Sequence, residues 1–360
     1  MEKLVNQAAH AFWRHKRVLV TGHTGFKGAW LSKVLHHLGA QVTGVSLAPA
    51  ATSAFAFMRV DQCLASHLIL DIRDADALRS AVHQTQPEVV FHLAAQALVG
   101  DGFRDPAGTF ATNVNGSVNL MQAMRGLSQV QAAVMVTSDK VYRNDNTGRP
   151  FKESDPLGGH DPYSASKAAA EIAIDSWRHS FGPSLPPMAT VRAGNVIGGG
   201  DFGHERLIPD LVRAQQAGQT LSIRHPHATR PFQHVLDVLH AYLLTAQALA
   251  TAQAAVPAAL NIGPQAAEIR VMDLLDHWQE AIGAVLPWTC HTREDMPEQK
   301  RLALDSSLAR RTLGWQPAWN TAQAIVHTAH WYQAWRAGED MSVHSAQAIA
   351  DYFGKGNTHE

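Results

Sequence analysis

The sequence has few cysteines, no excess of charge of either sign and no long apolar run, and each shortage excludes a class of protein. Its 2 cysteines, Cys63 and Cys290, are too few for a disulfide framework and lie too far apart for a common zinc motif. Its 30 Lys and Arg balance 31 Asp and Glu, so no global basic field favours nucleic acid or anionic lipid. No apolar run approaches the ~20 residues that span a bilayer, and the first residues lack the apolar core of a signal peptide. We therefore expect a cytoplasmic protein that binds neither nucleic acid nor membrane.

Apolar residues make up 46% of the 360 residues, which is enough for a large core and excludes disorder. The first half of the chain alternates short, continuously apolar runs with helical patterns. Such runs are typical of strands buried on both faces, and their alternation with helices indicates βαβ units. We predict an α/β fold with a doubly wound, parallel Rossmann-type sheet. The predicted strands cover residues 16–22, 41–47, 67–72, 88–95, 132–137 and 188–192.

The pattern changes after about residue 195, where glycine and proline become frequent and helical segments follow. This change predicts a smaller, mostly helical C-terminal domain that binds the substrate. We expect residues 12–195 to form the Rossmann domain, with 228–262 returning to it, and 196–227 and 263–345 to form the smaller one. The later predicted helices cover residues 241–255, 269–282, 306–313, 321–335 and 345–353, and Trp315, Trp331 and Trp335 are expected to pack in the core.

Three glycines, Gly22, Gly25 and Gly28, follow the first predicted strand at a spacing of three residues. Glycine lets the backbone approach a pyrophosphate closely, and the helix that follows contributes N–H donors and a partial positive charge. A tight turn without a ligand also uses glycine, but this strand–turn–helix context is the one that a dinucleotide site requires. The sequence therefore predicts an NAD-binding turn, whose contacts include Thr24, Phe26 and Lys27.

The type of dinucleotide depends on the end of the second strand, Val45-Ser46-Leu47. It carries neither the acid that binds the ribose 2′-OH of NAD nor an adjacent arginine. Lys27 is either a candidate for a 2′-phosphate or an ordinary solvated residue, and we favour NAD. Asp71 and Ile72 end the third predicted strand, where they meet the adenine or simply cap the next helix. Further expected cofactor contacts are Leu93, Ala94, Ala95 and Thr137.

Tyr163 and Lys167 lie four residues apart on a predicted helix, so they share one helical face. The lysine and a positive nicotinamide would lower the pKa of the tyrosine, whose phenolate then accepts a proton from a substrate hydroxyl. This spacing occurs together with the glycine turn and with Thr137-Ser138 at the end of the fifth strand. The three features resemble those of the short-chain dehydrogenase/reductase superfamily, and the length resembles its extended branch, which acts on nucleotide sugars.

Asp139 and Lys140 follow Ser138 at the C-terminal end of the fifth strand, which faces the active cleft of a doubly wound sheet. Sugar 4,6-dehydratases of the thymidine-nucleotide type carry Asp-Glu there, whereas simple epimerases lack such a pair. A solvated turn of opposite charges is the alternative. Longer stretches resemble the cytidine-nucleotide branch of the sugar 4,6-dehydratases over residues 12–335, although Val141 stands where many relatives have cysteine. These stretches are TGHTGFKGAWLS (21–32), FHLAAQALV (91–99), TNVNGSVNL (112–120), TSDKVY (137–142), DPLGGHDPYSASKAAAE (155–171), RAGNVIGGGDF (192–202), RLIPD (206–210), ATRPFQHVLD (228–237) and LGWQP (313–317).

The resemblance implies dehydration of CDP-D-glucose to CDP-4-keto-6-deoxy-D-glucose, with an NAD that stays bound and is regenerated. It implies that Tyr163 accepts the proton of the sugar 4-OH, that Ser138 binds the 4-oxygen and that Lys167 also holds the nicotinamide ribose. Asp139 would protonate the departing 6-OH. Lys140 would remove the C5 proton, which requires a neutral amine, or would stabilise the developing enolate as a cation.

The resemblance also implies contacts to the substrate diphosphate, for which arginine is suited because its planar donors bind two oxygens together. His234 either contacts the sugar or nucleotide or is structural. The remaining histidines, of 21 in all, show no converging spacing, so we expect no metal. The expected substrate contacts are Gln96, Asn195 and Arg230, with Arg206 and Arg301 as further candidates that surface ion pairs would also explain.

Two kinds of alternative remain at this point. One is another enzyme of the branch, either a nucleotide-sugar epimerase or a dehydratase for another nucleotide sugar. The other is a non-catalytic protein that senses NAD, against which the intact Tyr163, Lys167 and Asp139 argue. By analogy with the superfamily, we expect the helices at 106–125 and 163–180 to pack across a twofold axis in a homodimer, which a dimer of dimers would extend.

Overall fold

The computed structural model describes residues 11–145, 147–252, 255–264, 269–291 and 302–354. A seven-stranded parallel sheet forms its centre, in the order β7-β6-β5-β4-β1-β2-β3. The strands are β1 (Arg17–Thr21), β2 (Gln41–Ser46), β3 (Ser66–Ile69), β4 (Val89–His92), β5 (Ala132–Val136), β6 (Met188–Ala193) and β7 (Ala259–Ile262). This topology confirms the predicted doubly wound sheet. The strand order reverses between β1 and β4, so their carboxyl ends open the crevice in which such sheets bind ligands.

Helices cover both faces of the sheet, and local sequence explains where several of them begin. The side chain of Asp74 accepts a hydrogen bond from Ala77 N, 3.0 Å away, and that of Asp161 accepts one from Ser164 N at 2.9 Å. The first-half helices are α1 (Phe26–His37), α2 (Ala54–Phe57), α3 (Ala75–Thr85), α4 (Val99–Arg104), α5 (Pro106–Phe110), α6 (Gly116–Met124) and α7 (Pro162–Phe181). The later ones are α8 (Leu207–Ala217), α9 (Val235–Thr251), α10 (Val271–Ile282), α11 (Ser307–Leu313), α12 (Thr321–Arg336) and α13 (Met341–Gly354).

Several element boundaries differ from the prediction. The third strand ends at Ile69, so Asp71 and Ile72 lie beyond it; as an edge strand, β3 is only half buried and its pattern alternates. The helix expected at 106–125 is interrupted by a π-helical turn, Ala111–Asn115. The helix expected from residue 241 already begins at Val235, because His234 Nδ1 accepts from Leu236 N and caps it.

Two apolar layers pack on opposite sides of the sheet. The larger layer also joins the C-terminal helices to the sheet, and Trp315 and Trp331 are buried in it, as predicted. Short two- and three-residue strands lie outside the central sheet, where Val196–Ile197 pairs with Gln233–His234 and Leu221–Ile223 pairs with Trp288–Cys290. The domain division stays a prediction. No described helix is both long and apolar enough to cross a bilayer.

Candidate active site

The glycine turn between β1 and α1 is closed so tightly that two of its three glycines have no room for a side chain. A Cβ on Gly22, which has a φ of +77°, would lie 2.6 Å from Ala94 N. A Cβ on Gly28 would lie 2.1 Å from Gly22 O. At Gly25 the nearest atom would be Gly22 O at 3.3 Å, so this position is more open. The turn therefore packs its backbone against the end of β4 and leaves the start of α1 accessible.

The residues of this turn fit a dinucleotide. Gly25 has no side chain to cap α1, and the first turn of that helix contains no acid. The first N–H groups and the positive end of the helix dipole are therefore available to an anion such as a pyrophosphate. Thr24 Oγ1 lies 2.7 Å from Ser46 Oγ and donates to Leu47 O at 3.1 Å, which fixes the turn against the end of β2.

The expected adenine contacts lie in the loop after β3. Asp71 is held by Arg73, whose Nε and Nη2 donate to Asp71 Oδ2 at 2.9 and 2.6 Å. Ile72 is buried against Gly116, on which a Cβ would lie 2.4 Å from Ile72 Cδ1. Asp71 thus forms an ion pair with Arg73, and Ile72 packs against the start of α6.

A buried hydrogen-bonded chain lies beneath the ends of β1 and β4. His92 Nδ1 lies 2.7 Å from Thr21 Oγ1, and His92 Nε2 lies 3.0 Å from Ser117 Oγ. Burial lowers the pKa of His92 to about 3, so its ring is neutral. Ser117 donates to Asn113 O in the π-helical turn, and Asn113 Nδ2 donates to Ser166 Oγ on α7 at 2.8 Å. This series of hydrogen bonds connects the cofactor crevice to α7, the helix that carries Tyr163.

The end of β4 continues into the predicted cofactor loop. Leu93 N donates to Thr21 O at 3.1 Å, and Ala94 N donates to Thr21 Oγ1 at 3.2 Å. Leu93, Ala94 and Ala95 are half-buried at the crevice. The Gln96 side chain donates to Leu98 O at 2.7 Å and accepts from Leu98 N at 3.1 Å, so it closes its own loop.

A short 3₁₀ turn after β5, Asp139–Val141, carries the predicted acid; we call Ser138 and this segment the catalytic turn. Ser138 Oγ lies 3.0 Å from Asp139 Oδ1. Asp139 is 3% exposed, and its Oδ2 has no hydrogen-bond partner among the described residues. Burial raises the pKa of Asp139, while Lys140 and other cations oppose the shift. A carboxyl whose pKa is raised by burial, and which has one oxygen without a partner among the described residues, is suited to donate a proton.

Tyr163 and Lys167 on α7 meet the catalytic turn from one side. Tyr163 is buried, and desolvation raises the pKa of its hydroxyl, while a hydrogen bond with Ser138 opposes the shift. This direction is the reverse of the lowering that the sequence predicted, because the cost of burying the phenolate dominates in the protein alone. Lys167 Nζ donates to Val136 O at 3.4 Å. Burial and the charge of Lys27 lower the pKa of Lys167 to about 7. Lys140 Nζ lies 6.0 Å from the centre of the Tyr163 ring. The structure therefore brings all five predicted catalytic residues together.

Lys27, in the first turn of α1, is not a solvated helix residue. Burial and the guanidinium of Arg206 lower its pKa to about 8, and the carboxylates of Asp139 and Asp201 partly offset this. Its electrostatic neighbours also include Lys167, whose pKa it lowers. Lys27 thus lies at the start of α1 within electrostatic range of the predicted catalytic residues Asp139 and Lys167.

The expected substrate contacts are placed in different ways. Asn195 is half-buried after β6, and Arg230 is buried close enough to Asp139 to lower the pKa of that carboxyl. Arg206 Nη1 donates to both oxygens of Asp201, at 3.1 and 2.9 Å, so an internal carboxylate already holds it. His234 is packed against Trp319, with ring centres 4.6 Å apart, which supports its structural alternative. Arg301 lies outside the described residues.

Sequence reasoning missed several groups of this site. Asp201 holds Arg206, His92 and Asn113 support the crevice, and Glu171 follows Lys167 on α7 by four residues. Only Glu171 carried a usable signal in the sequence, because the spacing of Tyr163, Lys167 and Glu171 places all three on one helical face.

Comparisons with known proteins agree with this geometry. The sequence profile of the NAD dependent epimerase/dehydratase family matches residues 18–263. The CDP-glucose 4,6-dehydratase of Salmonella typhimurium is 41% identical over 350 residues, which cover 95% of this chain and 97% of that protein. The dTDP-glucose 4,6-dehydratase of Xanthomonas campestris is 27% identical over 89% of this chain and 95% of its own length.

Solved structures share the fold. A UDP-glucose-4-epimerase from Stenotrophomonas maltophila with bound NAD superposes with a TM-score of 0.79 at 24% identity, covering 90% of this chain and all of that one. A dTDP-glucose 4,6-dehydratase from Streptomyces venezuelae with bound NAD gives a TM-score of 0.74 at 24% identity, covering 90% of this chain and 99% of that one. The family match confirms the predicted NAD cofactor. With a dinucleotide turn, a Tyr-Lys pair and an acid on one crevice, the chain belongs to the NAD dependent epimerase/dehydratase family of the extended short-chain dehydrogenases/reductases.

Proposed function

We propose that this protein is a hydro-lyase that converts CDP-D-glucose to CDP-4-keto-6-deoxy-D-glucose. The observation that carries the proposal is the buried Asp139, whose free Oδ2 lies in the same site as the Tyr163-Lys167 pair. A proton acceptor for a sugar hydroxyl accounts for oxidation alone, whereas an added acid accounts for the loss of water. The choice of cytidine comes from the Salmonella relative, which is named as a CDP-glucose 4,6-dehydratase.

The site residues account for the proton transfers of an oxidation step and of an elimination step. A bound NAD would supply the redox chemistry, taking a hydride from C4 of the sugar and returning it to C6. Lys167 stabilises the phenolate form of Tyr163, which accepts the proton of the 4-OH and becomes a neutral hydroxyl. The 4-ketone acidifies the C5 proton, which Lys140 accepts as a neutral amine or whose removal it assists as a cation. Asp139 donates a proton to the departing 6-OH, which leaves as water. The proton taken from C5 is given back to C5 when C6 is reduced. Exchange with solvent then moves the proton gained by Tyr163 back to Asp139, so the cycle closes without net redox change.

Binding of the diphosphate falls to Arg230 and Asn195, with Arg206 and Arg301 as further candidates. Gln96 and His234 are candidates for contacts to other parts of the substrate. Arg206 would serve only if Asp201 released it or shared it. Alternatively, its guanidinium, which acts on Tyr163 and Lys27, sets the charge of the site around the sugar. The cytoplasmic location expected from the sequence stays a prediction.

We also propose a homodimer through the helices beside the site. Phe103 on α4, Phe110 on α5 and Ile172 on α7 are 50%, 39% and 59% exposed, which is unusual for large apolar side chains clustered on neighbouring helices. A twofold axis across these helices would bury them. Sedimentation velocity of the NAD-loaded protein is expected to give a dimer, and a monomer at micromolar concentration would contradict this part of the proposal.

Substrate identity is tested by incubating the NAD-loaded protein with CDP-, dTDP-, UDP- and GDP-glucose. We expect loss of one water and a base-labile 4-keto product from CDP-glucose, with Tyr163→Phe as the inactive control. A change of configuration without loss of water would identify an epimerase instead. Turnover of another nucleotide in preference to CDP-glucose would keep the reaction and overturn the substrate.

A further inference from the structure

Behind the catalytic residues lies a buried carboxylate that the proposed reaction does not use. Glu171 is 4% exposed, one helical turn beyond Lys167 on α7. Thr137 Oγ1 and Thr190 Oγ1 donate to it at 2.5 and 2.9 Å. Arg192 on β6 donates Nε to Glu171 Oε1 at 3.0 Å and Nη2 to Glu171 Oε2 at 2.8 Å. Four donors thus hold this carboxylate in one position.

The hydrogen bonds continue from Arg192 to the catalytic turn. Arg192 Nη1 donates to the hydroxyl of Tyr142 at 2.8 Å, and this hydroxyl donates to Asn261 Oδ1 on β7 at 2.6 Å. Tyr142 is 1% exposed and directly follows Asp139–Val141. A continuous set of buried bonds therefore connects α7, which carries Tyr163 and Lys167, to the turn that carries Asp139 and Lys140.

Stability alone is a poor explanation for this arrangement. Removing a carboxylate and a guanidinium from water costs about as much as their attraction returns, and apolar replacements of buried ion pairs are often neutral or stabilising. What a satisfied buried network does provide is a single fixed geometry. The dehydration needs such geometry, because one sugar must present its 4-OH to Tyr163 and its 6-OH to Asp139 in the same bound position.

We infer that Glu171, Arg192 and Tyr142 form a positioning relay that fixes the distance between the oxidising pair, Tyr163 and Lys167, and the eliminating turn. The inference rests on the proposed function. None of the three residues touches the reacting atoms; each acts through the element that it holds. The charge of Glu171 also opposes the effect of burial on the pKa of Lys167, which gives this residue a second influence on the oxidation step.

Three variants of the NAD-loaded protein separate positioning from stability. Tyr142→Phe removes the hydroxyl that joins Arg192 to the catalytic turn and leaves the Glu171–Arg192 pair intact. Glu171→Gln disturbs the pair and therefore α7 as well. Thr190→Val removes one of the four hydrogen bonds to the same carboxylate but leaves the Glu171–Arg192–Tyr142 connection intact, so it is the matched control. Each is assayed for kcat and KM with CDP-glucose, and for the deuterium isotope effect on kcat with substrate labelled at C4 or at C5.

We expect kcat to fall about 10- to 100-fold in Tyr142→Phe and Glu171→Gln, because small displacements of catalytic groups cost this much, with KM changing far less. In Tyr142→Phe the C5 isotope effect rises, since elimination becomes the slow step. In Glu171→Gln the C4 isotope effect rises, since oxidation is slowed. Thr190→Val keeps wild-type kcat and both isotope effects. Unfolded molecules form no product, so a lower folded fraction alone cannot change an isotope effect.

The inference is overturned if Tyr142→Phe and Glu171→Gln lower kcat while both isotope effects stay at the wild-type values, or if they raise KM and leave kcat intact. Thr190→Val showing the same isotope effects as the two test variants overturns it as well. Absence of wild-type turnover contradicts the proposed function, whereas wild-type turnover with unaltered variants contradicts the relay alone.

Discussion

The glycine turn, which we also call the cofactor turn, and the catalytic turn follow parallel strands of the same sheet, yet they depend on different chemical groups. The first, Gly22–Gly28, depends on backbone geometry and on the absence of side chains. The second depends on ionisable groups taken out of water, with Asp139, Tyr163 and Lys167 all buried. Binding a pyrophosphate needs N–H groups that the backbone supplies, whereas moving protons needs groups whose pKa values are displaced by burial. Binding and chemistry should therefore fail separately on mutation.

The largest expected effect concerns the acid. Asp139→Asn removes the proton that the departing 6-OH requires, and we expect kcat to fall about 10²- to 10⁴-fold. Burial raises the pKa of this carboxyl above its value in the unfolded chain. The fold therefore loses stability as pH rises from the unfolded pKa to the folded one, because the folded state holds the proton longer. The amide carries no such charge, and the melting temperature of the variant is expected to equal or exceed that of the wild type at pH 7. Kinetics and thermal melts of the same preparation check both parts.

Retained dehydration by Asp139→Asn at the wild-type rate would remove Asp139 from the mechanism. A melting temperature well below wild type would show that this carboxylate stabilises the fold, whereas we expect its burial to destabilise it. Binding of NAD, followed by titration, is expected to remain within a few-fold of wild type because the cofactor turn is untouched.

The next effect sharpens the other side of the comparison. Gly28→Ala places a Cβ 2.1 Å from Gly22 O, where no flexible side chain can give way, so the turn must open. We expect a loss of about 1–3 kcal/mol in the free energy of unfolding, typical of overpacking, together with weakened NAD binding. Gly25→Ala is the matched control, since its nearest atom lies at 3.3 Å. Chemical unfolding and NAD titration of both variants distinguish them; equal losses would contradict the tight closure at Gly28.

How much of each region the sequence predicts follows from the same difference. The glycine turn is a local device, so Gly22, Gly25 and Gly28 with the strand before and the helix after them were sufficient to locate it. The Tyr163-Lys167 pair was also found from its spacing on one helix. The Asp201–Arg206 pair and the Glu171–Arg192–Tyr142 relay join residues through the tertiary fold. Only Glu171 had a local spacing that pointed to the site.

Other differences between the prediction and the structure arise from tertiary packing, which local sequence does not reveal. The edge position of β3 shortened the predicted strand and moved Asp71 and Ile72 into the loop beyond it. The π-helical turn at Ala111–Asn115 interrupts a segment whose composition predicts one continuous helix, and it presents Asn113 O to Ser117. Arg206 was predicted from residue type to meet a diphosphate, but type alone does not reveal the neighbouring carboxylate of Asp201.

A third effect, which varies with pH, tests whether the free-energy cost of buried charge is confined to the catalytic region. Burial and Lys27 lower the pKa of Lys167 to about 7, whereas the unfolded chain gives lysine a pKa of about 10.4. Between these values the unfolded state binds more protons than the folded state, so this residue makes the wild type more stable as pH rises from about 7 to about 10. Lys167→Met has no amine to bury, so it avoids the cost of keeping this lysine out of water. Its gain in melting temperature over the wild type should be largest at pH 7 and shrink towards pH 10.

The exposed Lys152 supplies the control for this pH series, because Lys152→Met removes a lysine without relieving burial. Lys27 titrates in the same range and its charge lowers the pKa of Lys167, so the difference between variant and wild type contains the interaction of the two lysines as well as the burial of Lys167. The loss caused by Gly28→Ala should not vary with pH, since no charge is involved. A constant difference between Lys167→Met and wild type would mean that Lys167 keeps an ordinary pKa despite its burial. A pH-dependent gain in stability on Lys167→Met, beside a pH-independent loss on Gly28→Ala, would show that buried charge limits the stability of the catalytic region. It would also show that steric crowding limits that of the cofactor turn.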